Sequence, residues 1–272
     1  MRRVWAGFPA GQPLVMGILN VTPDSFSDGG RVTDPLAIAM SMTEAGADIV
    51  DVGGESTRPG AIAVPVVEEI ARIRPVVAAL ARAGVTVSID TRNAETMRVA
   101  LGEGARIVND VSALRHDPHS ASVVAKEGCP VVLMHMRGGP EDMADLVEYH
   151  DVVADVRAEL GLRVRAAMAA GVWAANICID PGIGFAKTGE QNIQLLRHLP
   201  AMSIDDFPIL AGVSRKGFIG TLSGEPDPAR RAGGSVAAAL WALQRGADIL
   251  RVHDVPETVQ AMRVWRGLAG LR

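Results

Sequence analysis

The chain has 272 residues, with 27 basic and 31 acidic side chains and a formal charge of −4. This balance argues against a nucleic-acid surface, and the 48% hydrophobic content is typical of a globular protein rather than a disordered one. The cysteines, Cys129 and Cys178, are too few for a disulfide framework and fit a reducing compartment as buried, inert thiols. No signal-peptide pattern precedes Gly11, and the most apolar stretch, 236–243, is too short to cross a bilayer. We therefore expect a cytoplasmic protein with no membrane and no nucleic-acid partner.

Short runs rich in Val and Ile recur along the chain, and each is followed by Gly, Asp, Asn or Ser. The strand starts recur about every 33 residues, the length of a strand–helix unit. The runs are nearly continuous rather than alternating, which is typical of parallel strands covered by helices. The predicted strands lie at 15–20, 48–53, 85–90, 106–111, 130–135, 176–180, 208–213 and 249–253.

Helical patterns lie between the runs. Asp34 and Pro35 open the first helix as N-cap and first residue, and Pro256 with Glu257 opens the last in the same way. A stripe of apolar residues from Val66 to Leu80 predicts an amphipathic helix. Pro75 interrupts that stripe, so we expect a kink or an early break there. The segment 143–171 is the longest predicted helix.

Eight strand–helix repeats without a composition break predict one (β/α)8 TIM barrel, a single domain over residues 1–272. The alternative is an open doubly wound sheet, which would usually have fewer strands and a glycine-rich nucleotide loop. The sequence has neither a GxGxxG nor a Walker A motif. Loops 22–33 and 53–65 leave the carboxyl ends of the first two strands, the rim at which barrels carry their active sites.

Polar side chains of several kinds stand at the predicted strand ends, and a barrel would bring them to one mouth. The cationic ones suit a phosphate or diphosphate group. The acceptors, with one amide, suit a flat heterocycle that bears an amino group and ring N–H. Asn20 offers a neutral oxygen suited to Mg²⁺ held mainly by substrate phosphate and water. The cationic set is Arg58, Lys216, Arg251 and His253, and the acceptor set is Asp90, Asn109 and Asp180.

Each of these residues also has a purely structural interpretation. Asp90 precedes a helix start and could be an N-cap, whereas Asp180 precedes Pro-Gly and could shape a turn. Arg58 could be a solvated loop residue, and His253 a buried structural histidine. The functional interpretation is favoured because caps alone would not require both carboxylates and cations at the same end of different strands.

Several of these segments resemble the dihydropteroate synthase family. The resemblance runs from about Val15 to Val264, and the first, second and seventh blocks together are highly specific. The blocks are MGILNVTPDSFSDGG (16–30), DVGGESTRPG (51–60), SID (88–90), IVNDVS (107–112), LMHM (133–136), DPGIGFAKT (180–188), GVSRKGFIG (212–220) and RVHDV (251–255). Ala186 replaces a glycine that the family often has, which reduces the backbone freedom of that loop.

The resemblance implies a pterin-binding barrel that joins 6-hydroxymethyl-7,8-dihydropterin diphosphate to 4-aminobenzoate in folate synthesis. It implies roles for fourteen residues. The pterin-binding set comprises Asp90, Asn109, Asp180 and Lys216, with Met134 as an apolar wall, while Asn20 resembles the Mg²⁺ ligand and binds the diphosphate together with Arg251 and His253. The aminobenzoate pocket comprises Thr57, Pro59, Phe185 and Ser214, and it shares Lys216. Two further residues would enter on mobile loops, Phe26 and Arg58.

In this family the reaction is a displacement in which diphosphate departs before the amine attacks. Asp90, Asp180, Lys216 and Arg58 would carry the chemistry, and the family usually forms homodimers. Two other functions stay open at this point. One is a pterin-dependent methyltransferase domain, and the other is a paralogue that binds pterin without condensing it.

The lysines are notable because only three of the 27 basic residues are Lys. Lys126 falls on a predicted outer helix and requires no function. Lys216 falls in the pocket shared by both substrates, and Lys187 lies in the loop after the sixth strand, beside the same rim. We therefore expect Lys216, and less strongly Lys187, to contact substrates or the loops that support them.

Overall fold

The structure, a computed structural model, describes residues 4–9, 11–22, 27–28, 31–32, 34–57 and 60–270. Each of the eight predicted strands is present, and a short antiparallel pair follows the first. The strands are β1 (Leu14–Asn20), β2 (Ser27–Asp28), β3 (Arg31–Val32), β4 (Ile49–Gly53), β5 (Val87–Asp90), β6 (Ile107–Asp110), β7 (Val131–Met134), β8 (Ile177–Asp180), β9 (Leu210–Ala211) and β10 (Ile249–Val252).

Helices follow the strands of the large sheet. They are α1 (Pro35–Ala45), α2 (Val66–Arg82), α3 (Ala94–Gly102), α4 (Ser120–Glu127), α5 (Val152–Ala169), α6 (Gly189–Arg197), α7 (Gly217–Ser223), α8 (Ala232–Gln244) and α9 (Val255–Leu268). Short 3-10 turns occupy Ala174–Asn176, Leu199–Met202 and Pro228–Arg230.

Eight parallel strands form one sheet in the order β8-β7-β6-β5-β4-β1-β10-β9. The two edge strands meet, because the amide of Ile179 donates to the carbonyl of Pro208 at 2.9 Å and Ile179 forms a parallel bridge with Ile209. The sheet therefore closes on itself. The predicted (β/α)8 barrel is confirmed, and the open doubly wound alternative is wrong.

The barrel interior is filled by one apolar layer near the amino ends of the strands. Its members come from seven strands and pack together, with Trp5 beneath them: Leu14, Met16, Ile49, Ile107, Val132, Cys178, Leu210 and Ile249. Side chains alternate between the two faces of a strand, so the next interior position lies two residues further on. That position holds Asp51, Asn109, Met134, Asp180 and Arg251, and this polar layer therefore rests on a packed floor.

The helix boundaries test the capping predictions. Asp34 caps α1 as predicted, since its carboxylate accepts from the amide of Leu36 at 2.9 Å. The last helix begins two residues earlier than predicted, at Val255 after the N-cap residue Asp254, and Pro256 lies in its first turn. The expected early break at Pro75 is wrong, because α2 continues through it to Arg82.

The prediction of one helix over 143–171 is too long. The helix α5 is the longest of the described residues, but it begins only at Val152, where the side chain of Asp151 accepts from the amides of Val153 and Ala154. Before it, residues 143–145 form a turn and residues 146–150 have no helical or strand structure. Within the described ranges, no helix is long and apolar enough to cross a membrane.

Candidate active site

A cavity of about 860 Å³ opens at the carboxyl ends of the barrel strands. It brings together eleven of the fourteen residues expected at a substrate site. These are Asn20, Thr57, Asp90, Asn109, Met134, Asp180, Phe185, Ser214, Lys216, Arg251 and His253. The other three, Phe26, Arg58 and Pro59, lie outside the described residues.

An ion-pair network forms the floor of the cavity. Arg251 donates through Nε to Asp51 Oδ2 and through Nη2 to Asp90 Oδ2, both at 2.6 Å. Asp51 Oδ2 also accepts from Asn109 Nδ2 at 2.9 Å. Asp51 is fully buried, and Asp90 and Asn109 nearly so. The network thus joins four strands, and it fixes the amide of Asn109 with its nitrogen toward Asp51, since a carboxylate accepts only.

The floor of the cavity is rich in acceptors. Asp90 Oδ1 is buried and has no hydrogen-bond partner, as are Asp51 Oδ1 and Ser88 Oγ. Asp180 also lines the cavity, and its Oδ1 accepts from the amide of Gly182 at 2.7 Å. Buried acceptors without partners are costly, and Asp90 is the one of these three residues that lines the cavity, so a ligand that supplies N–H donors there would satisfy its oxygen.

Burial governs the ionisation of these acids. It raises the pKa of Asp180 to about 6, although the Gly182 amide and the charge of Lys216 oppose the shift. Burial also raises the pKa of Asp90, and the adjacent Arg251 opposes this while Asp51 adds to it. The Arg251 pKa moves upward, because the two carboxylates outweigh the cost of burying the guanidinium. Both acids therefore bind a proton at a higher pH than an exposed aspartate would.

One wall of the cavity is apolar. Met134, Phe185 and Ala186 belong to a small cluster with Val111, and Lys216 Nζ lies 4.1 Å from the centre of the Phe185 ring. A cation over an aromatic face is attracted by the ring quadrupole. This wall offers a flat hydrophobic surface with a positive charge beside it.

Hydroxyl and imidazole groups line the cavity near the ends of β9 and β10. Ser214 Oγ accepts from the amide of His253 at 3.2 Å and lies 3.0 Å from His253 Nδ1. Next to them lies Arg215, whose backbone φ is 60°. Its Nε donates to Asp254 Oδ2 at 3.2 Å. The pair of Ser214 and His253 thus joins the ends of β9 and β10 at the mouth.

The described residues contain no group of three His, Cys, Asp or Glu side chains that could hold a metal ion. Asn20 at the end of β1 lines the cavity, and a Cβ placed on Gly53 would lie 3.7 Å from its Oδ1 and 3.6 Å from Asp90 Oδ2. The Asn20 amide oxygen therefore approaches the acidic floor. A single neutral oxygen beside this floor fits a Mg²⁺ ion whose other ligands are substrate phosphate and water.

The structural interpretations of single residues fare differently. Asp90 is not the cap of α3, since Asn93 takes that position, and its carboxylate instead binds Arg251. Asp180 shapes the turn through Gly182 and also lines the cavity, so both interpretations hold. The two cysteines are free and buried, as expected.

Sequence reasoning missed Asp51 as a site residue. The signal was a single acid inside the apolar run IVDVG of β4, two residues after Ile49 and therefore on the same interior face of the strand. A buried charge in such a run requires a partner, and the partner, Arg251, is 200 residues away.

A closed parallel barrel with acceptors on its floor and cations at its mouth defines an enzyme of the TIM-barrel class for a polar, anionic small molecule. The family profile of the pterin binding enzymes matches residues 16–253. The chain belongs to the pterin binding enzyme family.

Individual relatives within this family are dihydropteroate synthases. The enzyme of Mycobacterium leprae is 50% identical over 92% of this chain and 91% of its own. The structure of the Xanthomonas albilineans enzyme with 4-aminobenzoic acid superposes with a TM-score of 0.91 at 48% identity, covering 98% of this chain and 97% of that one. The same enzyme with 7,8-dihydropteroate gives 0.88 at 46% identity, covering 97% of both chains.

Proposed function

We propose that the chain is a dihydropteroate synthase, a transferase that condenses 6-hydroxymethyl-7,8-dihydropterin diphosphate with 4-aminobenzoate to give 7,8-dihydropteroate and pyrophosphate in folate biosynthesis. The observation that carries the proposal is one cavity in which an acceptor floor, an apolar wall and several cations meet. Each part suits one portion of the two substrates.

The acceptor floor suits the pterin. The three acceptor residues lie at the ends of β5, β6 and β8 and present oxygens to the cavity; they are Asp90, Asn109 and Asp180. A pterin ring carries an amino group and ring N–H donors on its edge, which would satisfy the unpartnered oxygen of Asp90. Met134 supplies an apolar surface for the ring face, and Lys216 a donor for its acceptor atoms.

The cations at the end of β10 suit the diphosphate. Arg251 lies on the floor of the cavity and His253 at its mouth, and Asn20 lines the same cavity from the adjacent strand β1. Asn20 would hold Mg²⁺ together with the phosphate oxygens. When bound, this ion would neutralise part of the diphosphate charge and so lower the free energy of the departing diphosphate.

The reaction requires a carbon–oxygen bond to break and a carbon–nitrogen bond to form. The bond between the pterin methylene and the diphosphate breaks with its electron pair on oxygen, and the carbon becomes a cation delocalised over the pterin. The carboxylates of Asp90 and Asp180 stabilise that positive charge. The amine of 4-aminobenzoate then attacks the carbon and loses a proton. An aniline nitrogen is already nucleophilic, so the site requires no strong general base.

The aminobenzoate pocket lies between the apolar wall and the mouth. Phe185 and Lys216 offer an aromatic face and a positive charge for the ring and its carboxylate, and Thr57 and Ser214 offer hydroxyls. Pro59, Phe26 and Arg58 would complete this pocket from the two loops. Closing those loops would keep water away from the pterin cation.

Pyrophosphate release tests the proposal. Purified protein with Mg²⁺ and the pterin diphosphate should release pyrophosphate when 4-aminobenzoate is added, and sulfonamides should compete with the aminobenzoate. A paralogue that only binds pterin would release none. A pterin-dependent methyltransferase would instead transfer a methyl group to a corrinoid and ignore aminobenzoate.

We also propose a homodimer and a cytoplasmic location. The free, buried thiols of Cys129 and Cys178 are consistent with a reducing compartment. The apolar stretch 236–243 is largely covered by the barrel, but Trp241 in α8 remains 41% exposed and Leu222 in α7 68%. Light scattering after size exclusion would give the mass, with a monomer contradicting the homodimer.

A further inference from the structure

Lys187 is a buried cation that the proposed reaction does not use. It follows β8 in the chain and is only 9% exposed. Its Nζ lies 2.8 Å from the carbonyl oxygen of Phe185, 3.0 Å from that of Gly182 and 3.0 Å from Nδ1 of His135. An ammonium group has three donors, and here three acceptors take them, so none remains for a substrate.

The partners of Lys187 continue outward as a chain of contacts. His135, directly after β7, is 3% exposed, and its Nε2 lies 3.0 Å from Glu159 Oε2 in α5. Glu159 in turn accepts from Nε of Arg137 at 3.1 Å. Because an ammonium only donates, Nδ1 of His135 accepts and its Nε2 carries the proton that goes to Glu159. The tautomer of this histidine is thereby fixed.

The loop that Lys187 holds is an unusual one. Gly182, Gly184 and Ala186 all have positive φ, at 68°, 83° and 46°. A Cβ on Gly182 would lie 1.9 Å from the carbonyl oxygen of His135, so the backbone there is in direct contact with the end of β7. Ala186 occupies a left-handed conformation that an L residue rarely adopts. Such a backbone persists only when surrounding contacts hold it.

The same loop carries a substrate-facing side chain. Phe185, whose carbonyl Lys187 binds, places its ring under Lys216 on the cavity wall. Asp180 is attached to the loop less directly, through the Gly182 amide. Loss of the Lys187 contacts would therefore displace Phe185 more than Asp180.

We propose that Lys187 is a positioning residue, which His135 and Glu159 hold in place so that it fixes the loop 182–186 and presents Phe185 to the aromatic ring of the second substrate. The inference rests on the proposed function for the identity of that substrate. It assigns Lys187 no contact with either substrate.

The charged groups around Lys187 and His135 make the support of the loop 182–186 depend on pH. Asp180 and Lys216 face Lys187 from the cavity side, and Glu159 and Arg137 from the outer side. Burial lowers the pKa of Lys187 to about 7 and that of His135 to about 4, so between these values Lys187 is an ammonium beside a neutral imidazole. Above pH 7 the ammonium becomes an amine with two N–H donors for its three acceptors, so one acceptor loses its hydrogen bond. The loop then loses part of its support.

Lys187→Met removes the donors, and Lys126→Met, on the exposed outer helix α4, is the matched control. We expect the KM for 4-aminobenzoate to rise about tenfold, equivalent to about 1.4 kcal/mol, while the KM for the pterin diphosphate changes less than about twofold. Equal rises in both constants, or no change in either, would overturn the positioning role. The control should leave both constants as they are.

Hydrogen exchange measures the same positioning without catalysis. The amides of residues 182–187 should exchange faster in Lys187→Met than in Lys126→Met, with the barrel strands unchanged. Equal exchange in that segment would overturn the inference. Failure of the wild type to release pyrophosphate would instead contradict the proposed function. The hydrogen-exchange comparison would still test whether Lys187 holds the loop.

Glu159→Gln provides a milder variant, because Glu159 is partly exposed and lies outside the cavity. Its loss removes a negative charge that raises the pKa of Lys187, so the ammonium loses its proton at lower pH. We expect the alkaline decline of kcat/KM for 4-aminobenzoate to shift to lower pH by about one unit or less. An unshifted profile would contradict the proposed chain from Glu159 to Lys187.

Discussion

Arg251→Met tests whether the floor of the cavity is held by charge. The substitution leaves a flexible apolar side chain of similar length, and it removes the only described partner that bridges Asp51 and Asp90. Both carboxylates then remain on adjacent strands with no counter-charge, Asp51 completely buried and Asp90 7% exposed.

The magnitude follows from this burial. Removing one partner of a buried ion pair typically costs about 3–5 kcal/mol, and here two carboxylates are affected. Asp90 would respond by binding a proton, since burial already raises its pKa even with Arg251 in place. An acid whose folded pKa is raised loses about 1.4 kcal/mol of stability for each unit of pH between its unfolded and its folded pKa, and a higher folded pKa in the variant extends that loss to higher pH. We therefore expect a loss of about 3–5 kcal/mol at pH 8 and a smaller loss at pH 5.

Urea unfolding of parent and variant at pH 5 and pH 8 measures this difference. Arg74→Met is the matched control, because its pair with Glu103 is largely exposed and should contribute less than about 1 kcal/mol. Arg251→Lys retains the charge without the planar fork and should recover part of the stability at pH 8. If Arg251→Met costs the same at both pH values, the loss comes from packing and the electrostatic reasoning is refuted.

Three further predictions concern the site and its loop. Asp90→Asn should lower turnover by about 100-fold or more with the fold intact by circular dichroism, because one carboxylate facing the pterin cation is lost; wild-type turnover in the variant would contradict its role. In wild type, kcat/KM should fall as the pH drops through about 6, since Asp180 then binds a proton; a flat profile from pH 5 to 8 would exclude an ionised Asp180 from the mechanism. Gly182→Ala should lower the free energy of unfolding in urea by more than about 1–3 kcal/mol, because residue 182 has a positive φ and the new Cβ would collide with the carbonyl oxygen of His135. The control is Gly60→Ala, at an exposed residue that also has a positive φ but has no atom within 4 Å of the added Cβ. Equal losses in the two variants would refute the collision.

Local sequence was sufficient for most of the architecture. Continuous Val and Ile runs of four to seven residues, spaced for a strand–helix unit, specify buried parallel strands by burial alone, and a helix can follow each. The Asp34-Pro35 pair specified the start of α1 because a cap acts within three residues. Residue types at the strand ends also predicted the cavity, since parallel strands in a closed barrel all end at one rim.

Predictions failed where the deciding contacts are tertiary or where the pattern is weak. Pro75 does not end α2, since the buried face formed by Ile73, Val77 and Leu80 packs on both sides of it. The segment 143–150 is not helical although its composition is compatible with a helix, and only Asp151, whose side chain accepts from two helix amides, marks where α5 begins.

The sequence by itself determined that this chain folds as a (β/α)8 barrel, which residue types meet at its mouth and which family it resembles, because periodicity and short motifs act over a few residues. Only the tertiary structure decided which partner each charge has. Arg251 meets Asp51 across 200 residues of sequence, and Lys187 directs its three donors into its own loop and His135 rather than toward substrate. Such pairings depend on the closure of the sheet and on the burial that closure imposes, and neither is encoded in any local pattern.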